Sequence, residues 1–141
     1  VLPRFVSLAI RNMPLTIFNS GNQVRTFTHV RDMVEGIVRA MESGKTGEDY
    51  NLGNPNNKMS INELADLVIK ITGSKSEKVY VDPKELYGPL YEEVGSKFTD
   101  ASKAISELHW TPRFSTEQIV RDTFDYMRQI DKELFDSLSG T

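Results

Sequence analysis

Residues 19–32, NSGNQVRTFTHVRD, put a turn rich in Asn, Ser and Gly directly before an alternating stretch that carries Arg25, and the run ends in His-Val-Arg-Asp at the start of an apolar-periodic helix. This layout suits an anion. A glycine turn lets backbone N–H groups approach a ligand, and a guanidinium offers a planar fork matched to phosphate or carboxylate oxygens. An isolated surface arginine is more often an ordinary salt-bridged residue of little energetic weight, so the assignment of Arg25 depends on what surrounds it. Other candidates fail on context. GKT at 44–46 has the ending of a phosphate loop, yet the first glycine of that motif would fall at position 39, where Arg39 stands, and the segment follows a helix instead of a strand. Tyr80 and Lys84 have a spacing by which one helix turn can set a lysine beside a tyrosine, but KVYV reads as a strand and Pro83 opposes a helix there. His29 and Asp32 resemble a general base and its orienting carboxylate. With no serine or cysteine nucleophile signalled beside them, His29 is expected to be a structural residue where a helix begins.

Periodicity defines the elements that hold these residues. Apolar positions 5, 6, 8, 9 and 10 predict a short helix over residues 5–12, stopped by Pro14. PLTIFN reads as a strand and QVRTFTH as a second extended piece, the two forming a hairpin or a bend through NSGN. From Val30 an apolar stripe at 30, 33, 34, 37, 38 and 41 predicts a helix that stops at Ser43 and Gly44. EDYNLGN reads as a brief strand. SINE is a capping box opening a helix with Leu64, Leu67, Val68 and Ile71 on one face and Gly73 as its stop. KVYVDP is a strand, and PKELYGPLYEEVGSKFT is expected to be irregular. Asp100 caps a short helix, and a second box from Ser115 to Gln118 opens a last helix bearing Ile119, Val120, Phe124, Met127 and Leu134.

Global properties narrow the function. At 141 residues, 38% hydrophobic and 26% charged, one compact core is expected. A net charge of −3 gives no electrostatic footprint for nucleic acid. The chain has no cysteine and only His29 and His109, so disulfides, thiolate chemistry and a metal site are not expected. No apolar run approaches the ~20 residues that cross a bilayer and no signal peptide is evident, so no membrane association and a cytoplasmic setting are expected. The chain opens at Val1, and VLPRFV reads like the middle of an element, which points to a piece of something longer.

Taken in order, VLPRFV, PLTIFNSGNQVRTFTHVRDM, YNLGN, SINELADLV, YEEVGSKFTDASKAISELHWTP and a terminal amphipathic helix resemble the C-terminal half of the extended short-chain dehydrogenase/reductases that act on nucleotide sugars: the epimerases, the 4,6-dehydratases and the UDP-glucuronate decarboxylases. The resemblance covers nearly the whole chain. It implies an α/β protein, namely the C-terminal α+β substrate-binding portion of such an enzyme without the complete Rossmann sheet, occupying residues 1–141. It also implies a UDP- or dTDP-sugar ligand. Thr16, Ile17, Phe18, Asn19, Gly21, Gln23 and Arg25 would wrap the nucleotide, with Phe18 beside the base and Arg25 on the diphosphate; Tyr91 and Lys97 would form a second nucleotide-facing pair. Lys97 stands where the family usually has arginine. Lysine keeps the charge without the bidentate fork, which counts against a decarboxylase and leaves Lys97 a possible auxiliary to catalysis. The glycine-rich dinucleotide fingerprint and the catalytic tyrosine-lysine helix are absent. The resemblance therefore implies that NAD is bound by an N-terminal half which this chain lacks, that the chain itself binds no cofactor, and that it is inactive alone.

A different class of function is a stand-alone α/β interaction domain without a nucleotide ligand; Arg25 and its glycine turn have no purpose there. In the family the segment matching residues 30–52, a helix plus the YNLG strand, packs on the dinucleotide-binding half. Without that cover, the chain is expected either to form a homodimer through this helix and strand or to fold them back onto its own core.

Overall fold

The computed structural model describes residues 1–139, with side chains over residues 1–130. In chain order the elements are α1 (Leu2–Ile10), β1 (Leu15–Phe18), β2 (Val24–Thr26), α2 (Val30–Ser43), β3 (Lys58–Ser60), α3 (Ile61–Thr72), β4 (Lys78–Val81), α4 (Pro83–Tyr87), α5 (Ser102–Glu107) and α6 (Thr116–Ser139). Contacts divide them into two units of interleaved segments: residues 1–22, 61–93 and 120–139 form the first, and residues 23–60 and 94–119 the second.

The first unit is built on apolar stripes. α1 carries a proline in its first turn, where the missing N–H has no helical partner to lose, and it buries Leu2, Phe5, Val6 and Ala9. α3 presents Ile61, Leu64, Ala65 and Val68. Between them β1 alternates, with Leu15 and Ile17 buried and Thr16 and Phe18 half-buried. β1 pairs in parallel with β4, Leu15 opposite Lys78 and Phe18 opposite Val81.

In the second unit β2 pairs antiparallel with β3, Arg25 opposite Met59. Trp110, Leu108, Ala104 and Ala101 form the core, with Ala40, Tyr50 and Leu52 packed against them. Ser115 accepts from the N–H of Gln118 at 3.2 Å and opens α6 as its sequence predicts, whereas the N-cap of α5 is Ala101, and Asp100, one residue earlier, accepts from the N–H of Ser102 at 2.9 Å.

Several expectations are overturned. β1 and β2 form no hairpin. Asn19 and Gly21 adopt φ of 52° and 71°, and Asn62 of α3 clamps the turn, its side-chain amide donating to Ser20 O at 2.7 Å and its backbone N–H to Gly21 O at 3.0 Å. The apolar β1 thus finds a parallel partner instead of a neighbour in sequence. EDYNLGN forms no strand, because no segment among the described residues offers it a ladder; Tyr50 and Leu52 instead pack against the Trp110 core. Residues 83–87, expected to be irregular, are helical: Asp82 accepts from the N–H of Lys84 at 2.9 Å and Pro83 starts the helix instead of opposing one. β3 was not anticipated, being three residues long with no apolar alternation. The stripe of α2 does not fold back onto the chain's own core: Val30, Val34, Ile37, Val38 and Met41 are all exposed. Leu134 lies outside the described side chains.

Candidate functional site

Within the second unit, Arg25 and Lys97 meet at one place. With Thr26, Ser96, Phe98 and Thr99 they line an open cleft of about 530 Å³. The cleft follows from a strap, residues 94–99, laid along β2: the N–H of Lys97 donates to Val24 O at 3.1 Å, and the N–H of Val24 donates to Ser96 Oγ at 3.4 Å. Arg25 fastens this strap. Its Nη2 donates to Val94 O at 2.8 Å, and its Nη1 to Val24 O at 3.0 Å and to Gly95 O. These bonds fix where the guanidinium sits, so its charge is held at the wall of the cleft. The Lys58 ammonium lies 4.8 Å from the centroid of the Phe98 ring, adding a cation beside one wall. Gln23 belongs to the same unit but is not among the lining residues.

Within the first unit the assigned residues play different parts. The Phe18 and Tyr91 rings come within 6.4 Å, centroid to centroid, in an edge-on arrangement. Ile17 is fully buried, so its side chain supports the turn; a Cβ on Gly21 would lie 2.7 Å from both Ile17 Cγ2 and Asn62 Oδ1. The glycine at 21 is thus required by packing and by its positive φ. The N–H of Asn19 donates to Val81 O at 2.9 Å, and Thr16 is half-buried within β1.

The rejected candidates are structural. His29 accepts from the N–H of Arg31 at 3.0 Å through Nδ1, capping α2, and stacks on Phe114 with centroids 4.2 Å apart. Gly44 closes α2, its N–H donating to Ala40 O at 3.0 Å. Tyr80 lies on β4 and donates to Asn62 Oδ1 at 2.9 Å. Sequence reasoning missed Thr26 and the strap residues 96, 98 and 99, which carry no periodic signal, and the buried role of Asp32. The carboxylate of Asp32 accepts from the N–H groups of Arg113, at 3.0 and 3.1 Å, and of Phe114, at 3.1 Å. Shifted titrations lie on surface ion pairs and, at Asp100, on the hydrogen bonds from Ser102, which lower it. A hydrogen bond from Arg39, with the nearby Arg113 charge, lowers Glu35 against its partial desolvation, and Lys45 and Tyr50 lower Glu107. Among the described residues no group of three or more His, Asp or Glu is placed to hold a metal ion, and no helix is long and apolar enough to cross a membrane.

Helices with two short two-stranded sheets, and no full Rossmann sheet, make this the α/β part-fold of an extended short-chain dehydrogenase/reductase. Residues 2–123 match the profile of the family described as GDP-mannose 4,6 dehydratase, and the chain belongs to that family of nucleotide-sugar epimerases and dehydratases. It is 32% identical over 133 residues to UDP-N-acetyl-alpha-D-glucosaminuronate decarboxylase of Bacillus cytotoxicus, covering 94% of this chain and 41% of that one. Its fold is similar to UDP-glucose 4-epimerase of Thermotoga maritima, solved with UDP-glucose, at a TM-score of 0.81 and 30% identity over 92% of this chain and 39% of that one. It is likewise similar to UDP-glucuronic acid 4-epimerase of Bacillus cereus, solved with UDP-glucuronic acid and NAD, at a TM-score of 0.80 and 29% identity over 92% and 40%. The chain thus spans about two fifths of the length of these proteins.

Proposed function

We propose that this chain is the nucleotide-sugar-binding part of an NAD-dependent epimerase or dehydratase acting on UDP- or dTDP-sugars, and that it is not catalytic by itself. The observation that carries the proposal is the cleft in which Arg25, held by the carbonyls of the strap, stands with Lys97. With both Nη groups donated to backbone carbonyls, Arg25 offers a diphosphate its fixed charge, and Lys97 supplies a second cation lining the same cleft. In the first unit, Phe18 and Tyr91 supply apolar rings suited to a nucleobase. Sugar chemistry in such an enzyme rests on hydride transfer to NAD when it is bound. The candidate dinucleotide residues of this chain do not fit that cofactor: Gly44 ends a helix, and the Tyr80 hydroxyl is turned onto Asn62. The proposal therefore gives NAD to the portion of the relatives that this chain does not span, and gives that portion the task of covering α2. It places the protein in the cytoplasm.

Calorimetric titration of the chain with UDP, dTDP and UDP-glucuronic acid tests this. Weak saturable binding is expected, reduced about tenfold or more in Arg25→Ala, because a charge-assisted hydrogen bond contributes about 1.5–3 kcal/mol. Arg25→Lys, which keeps the charge and loses the fork, should fall between them. Equal binding by all three chains, or none at millimolar ligand, contradicts the assignment.

A further inference from the structure

Phe18 has a second aromatic neighbour that neither the resemblance nor the family match assigns. Tyr87 is the last residue of α4, and its ring stacks on Tyr91 with centroids 5.0 Å apart and an interplanar angle of 28°. Phe18 meets the Tyr87 ring edge-on at 5.8 Å and 79°. The three rings therefore form one set, with Phe18 rooted in β1, Tyr87 on a capped helix and Tyr91 tied at its hydroxyl to Glu93 Oε2 at 2.7 Å. Tyr87 nevertheless remains 58% exposed. A large ring oriented by two neighbours and left open to water on much of its area is a ready stacking wall for a flat ligand, since little side-chain freedom remains to be lost on binding.

We propose that Tyr87 is a further binding residue for the nucleobase, which stacks on its open area. The proposal rests on the nucleotide-sugar reading above. A base is favoured over the sugar because the wall is aromatic: planar π-systems stack on a tyrosine face, whereas a sugar ring is recognised chiefly through its hydroxyls.

The test titrates the intact chain, Tyr87→Leu and Tyr87→Phe with UDP, UDP-glucuronic acid and inorganic pyrophosphate. Thermal unfolding of each variant accompanies the titrations, and the exposure of Tyr87 predicts little change in Tm. Loss of the ring should weaken UDP and UDP-glucuronic acid alike by about fivefold or more while leaving pyrophosphate unchanged, and Tyr87→Phe should bind as the intact chain does. If the intact chain binds UDP and Tyr87→Leu binds it equally, this proposal falls and the nucleotide-sugar reading stands. A loss confined to UDP-glucuronic acid would assign Tyr87 to the sugar and overturn the proposal. Failure of the intact chain to bind UDP at all would overturn both.

Discussion

Asp32 shows how one buried residue can organise a unit. It is 1% exposed, both its carboxylate oxygens accept backbone N–H groups from Arg113 and Phe114, and its own carbonyl accepts from Trp110 Nε1 at 2.8 Å. The first turn of α2 is thereby fixed to residues 110–114, where Phe114 also stacks on His29. Asp32→Ala would leave donors without partners in a site closed to water, and a loss of about 2–4 kcal/mol is expected. Asp32→Asn, which keeps one acceptor oxygen, should cost less. Urea unfolding checks both, and a loss below about 0.5 kcal/mol for Asp32→Ala would remove Asp32 from this role. None of this was legible in the sequence. A helix start with an acidic residue in its first turn is a local signal, whereas the partners of Asp32 lie far along the chain. The expectation that Arg25 meets an anion rests on local signals, the glycine turn and the alternating stretch around it; its grip on the strap left no such signal, since Val94 and Gly95 carry no pattern that points to it.

Among elements, α2 carries the sharpest conflict between sequence and surroundings. Its buried positions are Asp32 and Gly36, and a Cβ on Gly36 would meet Leu52 Cδ2 at 2.8 Å and Trp110 Nε1 at 3.1 Å. The helix thus packs through its smallest residue and turns its apolar stripe outward, to the point that Met41 is 82% exposed. A contiguous face of that kind favours association. The chain is expected to self-associate with rising concentration, and Ile37→Glu combined with Met41→Glu should give a monomer with unchanged helix content. Sedimentation velocity across a concentration series decides this, and a wild-type monomer at the highest concentration would contradict it. The stripe itself was plain in the sequence as a periodic pattern, as were those of α1 and α3, where burial on one side of the helix leaves the same trace. Strand partnership leaves none: the same alternation in β1 serves a hairpin or a parallel pair, and the turn after it is held by Asn62, distant in sequence, while β1 pairs with β4.

At the scale of the molecule, each unit is assembled from segments far apart in the chain, so composition and periodicity could set the fold class without showing the division. The family was legible because it resides in an ordered series of short motifs instead of in one of them, and residues 2–123 match it. The proposed function requires that such a chain, about two fifths the length of its relatives, still hold a nucleotide through its own residues. The most direct measurement is an NMR titration of the isotope-labelled chain with UDP. Saturable shift changes are predicted at the amides of Arg25, Thr26 and residues 96–99, and around Phe18, Tyr87 and Tyr91, with α2 unaffected. Changes confined to α2, or none at millimolar UDP, would contradict the account.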